Sequence, residues 1–376
     1  MLDDDLPLLS AIRRSVGNPG ARVTDWRKRA LGDGFADAMA GGDGLILHSG
    51  TVLTSTGEQA FELVEKLCRF LPLGREPNSW LYWKREALAY DSGALETQSM
   101  GLRAPVCFGV EFTEAPSARI FIEAVSDPQP VWTINTHARA AEALGAFNAD
   151  RVGMPDLERH PWMAVGRAHS WTAIAAKILD DQEVLEGDPV LSIWLAGPSL
   201  RRTSELWKNL DMLTSALAEL PKCFCHHDAF KRNLLFCRTA ESEAEIVAID
   251  WAFAGYGVIG EEIAAMVGAS LMFCEIDPDE VEATIDAVFQ GYLRGLEKGG
   301  WSGSSTDARL GFCATTSMTF GLGALGPWLP LLRDPDLAPV VQSITGASPE
   351  AFLNNLANIQ RRFLDLGEEA LELAGA

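Results

Sequence analysis

Residues 223–236 read CFCHHDAFKRNLLF. Inside this stretch His226, Asp228 and Asn233 fall in the spacing H-x-D-x-x-x-x-N, and Asp250 closes the apolar run EIVAID at 245–250. The pattern predicts a short strand at Cys223–Cys225, a loop, a strand at Leu234–Cys237, a polar turn and a second strand ending at Asp250. Such a hairpin turns the chain back, so that Asn233 and Asp250 meet in space. Phosphoryl transfer needs this set of groups. One Asp on a loop orients the acceptor hydroxyl and takes its proton. An Asn on the same loop and a second Asp hold magnesium against the nucleotide phosphates. A zinc centre on His226 and His227 fits poorly, because adjacent side chains diverge and no third or fourth ligand stands at a recognisable spacing. A serine hydrolase would need G-x-S-x-G, which the sequence lacks. His226 therefore reads as a brace for the loop, and His227 as a solvent-facing residue or one that crowds the loop.

Composition narrows the field. With 47% hydrophobic and 22% charged residues, the 376-residue chain has the balance of a soluble globular protein and the length of two lobes. A formal net charge of −21 repels nucleic acid and anionic membranes. The start, MLDDDLPLLSAI, is acidic where a signal peptide is basic, and no run of 18 apolar residues occurs. The seven cysteines are scattered without paired zinc spacing and read as free thiols. A cytoplasmic protein without a membrane span is expected.

Outward from the loop, the first part of the chain reads as strands. GLILHSGTVLTST carries a turn signal at Ser49–Gly50, and AFELVEKLCRFL (60–71) alternates as a strand. SWLYWKREALAYDSGAL (79–95) reads as a helix capped by Ser79, followed by strands in APVCFGVEF and ARIFIEAV. The breakers near Ser126–Pro130 mark a joint. Beyond them helices are expected in HARAAEALGAFNA, in HPWMAVGRAHSWTAIAAKIL and, as one continuous helix, in TSELWKNLDMLTSALAEL (203–220).

CHHDAFKRNLLF together with AIDWAFAGYGVIGEEIA resembles the aminoglycoside phosphotransferase and choline-kinase-like family, in which H-G-D-x-x-x-x-N precedes an I-D-W/F strand end. Two positions depart from that pattern. His227 stands where the family has Gly, and Glu262 stands where it has Asp. The resemblance implies an α+β, two-lobed protein-kinase-like fold. An antiparallel nucleotide-binding lobe would occupy 1–125, and a larger, mainly helical catalytic and substrate-binding lobe 126–376. It implies an ATP- and Mg2+-dependent phosphotransferase acting on a hydroxyl of a small molecule, with Asp228 and His226 in the catalytic loop and Asn233 and Asp250 on the metal. It further implies a strand lysine paired to a helix glutamate, here Lys66 with Glu86, although Lys84 competes. Ser49 and Gly50 are the candidate phosphate cover, and backbone at Glu123 to Val125 is the candidate adenine contact. Acids at 261–280 hold a cationic acceptor or only start helices. Trp162, Trp171, Trp251, Trp301 and Trp328 line an apolar pocket or belong to the core. A nucleotide-binding regulator that has lost catalysis is the alternative from another class.

Overall fold

The computed structural model describes residues 5–31, 44–70, 74–96, 101–114, 116–126, 131–153, 160–239 and 242–375. The breakers at 127–130 thus lie outside the described residues. The chain forms two compact units, one of Met1–Gln129 with Leu235–Ala252, the other of Pro130–Leu234 with Phe253–Ala376. The sequence boundary at 125/126 differs from this in the segment 235–252, which packs with the first unit.

The first unit is built on an antiparallel sheet in the order β1-β2-β3-β6-β5. Its strands are β1 (Arg22–Ala30), β2 (Leu45–Thr54), β3 (Gly57–Arg69), β5 (Cys107–Phe112) and β6 (Ser117–Glu123). The alternation in 60–71 is that of β3, with Phe61, Leu63 and Glu65 turned inward. Leu8, Ala11 and Ile12 of the helix Leu6–Ser15 join Val52, Phe61, Leu63 and Phe121 in one apolar cluster. A small sheet of β4 (Leu102–Arg103), β9 (Leu234–Thr239) and β10 (Ser242–Ala248) completes the unit, with β4 parallel to β10. The helix expected over 79–95 is confined to Arg85–Asp91. The carbonyls of Ser79 and Trp80, which a helix begun at Ser79 would have used, accept from the buried Arg85 guanidinium, as does that of Pro77.

A charged network is buried within this sheet. Arg119 donates to Asp5, Glu65 and Glu111. Glu65 also bonds His48 Nε2 at 2.9 Å. Trp26 donates to His48 Nδ1, so the ring proton sits on Nε2 and points at Glu65. Burial alone would raise the Glu65 carboxyl, but the bonds from His48 and Arg119 hold it down at about 2. Asp5 is held below its ordinary value by Arg119 and the Leu8 N–H despite partial burial. A depressed carboxylate contributes stability above its unfolded value and loses it as pH falls through the folded value. The melting temperature is therefore expected to fall between about pH 4.5 and 2, a loss on the order of 2 kcal/mol for Glu65. Thermal melts of wild type and Glu65→Gln over that range check this, the variant giving the shallower slope.

The second unit is helical. Helix Ile134–Ala149 packs against Val281–Lys298 with their backbones in contact. Gly145, Gly291 and Gly295 make this possible, since a Cβ on Gly295 would lie 1.9 Å from the Glu142 carbonyl. A three-stranded sheet orders β7 (Ala164–Val165), β11 (Gly255–Val258) and β8 (Lys222–Cys225). Two expected helices are shorter than their apolar periodicity suggests. The segment 160–179 gives β7 first, and its helix begins only at Arg167 after Gly166, which has φ 57°. The segment 203–220 is split at Asn209 into Ser199–Lys208 and Leu210–Ala218. Trp162, Trp251 and Trp328 are core residues at 6% exposure or less. All seven cysteines are free thiols, and no described helix is long and apolar enough to cross a membrane.

Candidate active site

In the first unit β3 delivers Lys66 and the helix Arg85–Asp91 delivers Glu86 in its first turn. Lys66 Nζ lies 2.5 Å from Glu86 Oε2 and donates to Asp250 Oδ1 at 2.7 Å. Burial works to lower the lysine, but the carboxylates of Asp250 and Glu86 outweigh it and raise the amine, which stays charged. Glu86 Oε1 also accepts the N–H of Trp251, fixing the chain next to Asp250. Asp250 itself sits at φ 62°, outside β10. Left-handed backbone is strained for a residue with a Cβ, and such strain gathers at functional positions. Lys84 precedes the helix, and its amine lies 5.0 Å from the Trp83 ring centre. Lys66, not Lys84, is the lysine that meets Glu86 and Asp250.

One expectation for this unit is corrected and a second is narrowed. Ser49 and Gly50 are not at a turn. They lie mid-strand in β2, opposite Arg27 and Trp26 of β1 and Glu62 and Phe61 of β3. Their backbone belongs to the ladder rather than to a phosphate cradle. Gly50 is required for another reason, because β1 bulges between Val23 and Asp25 and a Cβ would lie 2.0 Å from the Asp25 carbonyl. At the adenine position the Glu123 N–H donates to the Val106 carbonyl, and the Glu123 carboxylate binds Arg103 through both oxygens. That donor is taken. Val125 lies beyond the end of β6, outside its ladder.

In the second unit the quoted loop follows β8. Asp228 accepts from Asn233 Nδ2 at 2.9 Å on Oδ2 and at 2.9 Å on its own carbonyl, and from Arg167 Nη1 at 2.7 Å on Oδ1. His226 is buried, and its Nδ1 accepts the Asp228 N–H at 3.2 Å, the bracing read from the sequence. His227 is not solvent-facing. It is 2% exposed and adopts φ 67°, a conformation glycine takes without strain. The backbone thus accounts for the Gly in H-G-D, and here a histidine is held there by its neighbours. The N–H groups of His226 and His227 donate to Glu262 at 2.8 and 3.0 Å, and the His227 carbonyl accepts from Arg167.

Glu261 and Glu262, offered by the sequence as holders of a cation, are internal braces. Glu262 is fully buried and also accepts from Asn148, which Tyr292 holds by a further bond. The close-packed helix pair is thereby tied to the loop. Burial pushes the Glu262 carboxyl up to about 7, against the His226 N–H, the Asn148 amide and the His227 N–H, which hold it down. Glu261 accepts from the N–H groups of Arg167 and Val258. Asp277 caps its own short helix through the Asp279 N–H, the helix-start role. Arg167 escaped the sequence reading altogether.

A cavity of about 280 Å³ opens in the same unit beside the loop, lined by Trp132, His137, Lys231, Glu275, Asp277 and Glu280 among others. His137 Nδ1 faces the Thr133 carbonyl at 3.0 Å, which requires the proton on Nδ1 and leaves Nε2 as an acceptor. Burial and then Lys231 lower the His137 value, against the Thr133 bond, so the ring is neutral. Neither His137 Nε2 nor Glu275 Oε2 has a hydrogen-bond partner among the described residues.

No curated protein matches the sequence significantly. Among solved structures, a spectinomycin phosphotransferase in complex with ADP and spectinomycin aligns at TM-score 0.49 and 12% identity, covering 94% of this chain and 97% of its own. A choline kinase from Cryptosporidium parvum Iowa II aligns at 0.49 and 14%, covering 97% and 96%. An aminoglycoside-3'-phosphotransferase of type VIII aligns at 0.45 and 20%, covering 82% and 99%. These scores all fall below 0.5. The profile of the phosphotransferase enzyme family matches residues 118–301, from β6 through the loop and Asp250 to the helix pair, and over that span the sequence is similar to this family.

Proposed function

We propose that the chain transfers the γ-phosphoryl group of ATP to a hydroxyl of a small molecule. The observation that carries this reading is Lys66, charged and bound to both Glu86 and Asp250. A strand lysine, a helix glutamate and an aspartate just past a strand are the phosphate-positioning set of kinase-type transfer. Asp228 accepts the proton of the acceptor hydroxyl, whose oxygen forms the new bond to the γ-phosphorus. The bond to the β-phosphate oxygen breaks, and ADP leaves. Lys66 orients the phosphates, and adenine contacts the backbone near Val125.

Magnesium fits the donors available. Asn233 and Asp250 offer only oxygen, which suits a hard cation. Among the described residues no cluster of three or more His, Cys, Asp or Glu is arranged for a metal ion. An ion shared with nucleotide phosphates needs only one or two protein side chains. When bound, it neutralises charge on the transferred group.

The acceptor enters the cavity that Lys231 lines, three residues beyond Asp228 in the loop. Its unpartnered acceptors, His137 Nε2 and Glu275 Oε2, together with Asp277 and Glu280, favour a ligand that brings N–H donors, hence an amino alcohol or amino sugar. A cytoplasmic location suits both ATP and seven free thiols.

The test is a thermal melt with ATP and magnesium, followed by ADP release against amino alcohols, aminoglycosides, sugars and nucleosides. ATP at 100 times its Kd is expected to stabilise the fold by about 2.7 kcal/mol, with ADP release that depends on an amine-bearing acceptor. Stabilisation without turnover across the panel would favour the inactive regulator. No response to nucleotide refutes the proposal.

A further inference from the structure

We propose that Arg167 is a positioning residue for the transfer step, holding the Asp228 carboxylate by Oδ1 so that Oδ2 is the oxygen that meets the acceptor hydroxyl; this rests on the phosphotransferase reading. The two oxygens of Asp228 have different partners. Oδ2 is shared with the Asn233 amide, and Oδ1 accepts from Arg167 Nη1. An incoming hydroxyl can donate to the remaining lone pair of Oδ2 beside that amide. The Arg167 bond to Oδ1 keeps the carboxylate from turning as it does so. The same nitrogen donates to the His227 carbonyl, so one guanidinium fixes the side chain of Asp228 and the backbone that leads into it.

Stability alone does not explain this arginine. Its side chain is only 9% exposed, and burying an ion pair seldom gains net stability, because desolvation offsets the attraction. The surroundings are shaped to keep it in place. The guanidinium lies 5.1, 5.6 and 5.4 Å from the ring centres of Trp171, Phe253 and Phe320, within cation–π range. Phe320 comes from a buried π-helix, Ser317–Gly323, a rare conformation often found at functional sites. Gly268 makes room for that ring, since a Cβ there would lie 2.1 Å from it. On the other side Glu261 Oε1 accepts the Arg167 N–H at 2.6 Å. Glu261 also lies against His227, with which it fills the space a Cβ on Gly257 would need. The histidine in the glycine position, the paired glutamates and Arg167 thus form one assembly around Asp228.

The test is steady-state ADP release from magnesium ATP, with the same panel of acceptors, by the full chain and its Arg167→Met and Arg167→Lys variants. Misplacing a catalytic group by about 1 Å costs about 10²-fold. Arg167→Met is therefore expected to lower kcat by about that factor, with KM for ATP within about twofold and the ATP-induced melting shift retained. Arg167→Lys, which keeps the charge and loses the fork, is expected to recover part of the loss. A methionine variant with kcat within about twofold of an active wild type overturns the proposal alone. So does a loss of kcat that comes with a raised KM for ATP and lysine no better than methionine, which is the pattern of a merely structural residue. A wild type that binds ATP and releases no ADP with any acceptor of the panel overturns the phosphotransferase reading and this proposal with it.

Discussion

Asp228→Asn is expected to lower turnover by about 10² to 10⁴-fold, the usual contribution of a positioned proton acceptor, while magnesium ATP still binds. The substitution keeps shape and removes the charge that accepts the proton. Lys66, which we assign to the phosphates, is held by Glu86 and Asp250, and Glu86 in turn by the Trp251 N–H. ATP affinity should therefore survive. The check is an ATP titration by calorimetry beside a single-turnover assay for ADP. Turnover within about threefold of wild type removes Asp228 from the chemistry. Loss of ATP binding in step with turnover would mean that the loop had collapsed, and a preserved melting temperature excludes that.

The second large effect is expected at Lys66. Lys66→Met leaves Glu86 buried at 2% exposure without its cation. Breaking a buried pair from one side typically costs about 3–5 kcal/mol, so the variant should melt well below wild type and bind ATP poorly. Adding Glu86→Gln removes the stranded charge. The double variant is expected to regain much of the stability and none of the ATP affinity, which separates the two roles. Lys84→Met, whose cation rests over Trp83, should change neither. Denaturant unfolding and ATP titration of the four proteins decide the matter, and a Lys84 variant that alone loses nucleotide would reverse the assignment.

Local patterns in the sequence were sufficient where the structure depends on local contacts. The alternation through Phe61, Leu63 and Glu65 gives β3, and the spacing from His226 to Asn233 gives a loop in which Asn233 bonds Asp228 five residues back. The pairing of Lys66 with Glu86 comes from the family resemblance, which implies a strand lysine followed by a helix glutamate. What stayed hidden depends on distant partners. Ser49–Gly50 carries a turn dipeptide, yet it lies in a strand because a bulge at Asp25 on the neighbouring strand needs a residue without a side chain. The helix expected from Ser79 is overridden by Arg85, which draws the carbonyls of Ser79 and Trp80 out of the helical pattern. Arg167 is 61 residues from Asp228, and no periodicity marks it. Glu262 was visible as a departure from the family pattern, but its partners, two N–H groups and an amide from Asn148, were not.

The first unit is not continuous along the chain. Its sheet strands β1, β2, β3, β5 and β6 end at Glu123, yet the hairpin of β9 and β10 and the aspartate that binds Lys66 arrive only with 235–252. During synthesis the sheet can form early, but Lys66 and Glu86 then face each other without their third partner. Asp250 lies 184 residues downstream of Lys66, and the intervening chain, from Pro130 to Leu234, belongs to the other unit. At about 5–20 residues per second, that leaves roughly ten to forty seconds in which the lysine has been made and its aspartate has not. A ribosome-bound chain stopped before residue 250 would therefore carry Lys66 and Glu86 without Asp250, and under the proposed function the capacity to hold nucleotide would appear late in synthesis, at one step.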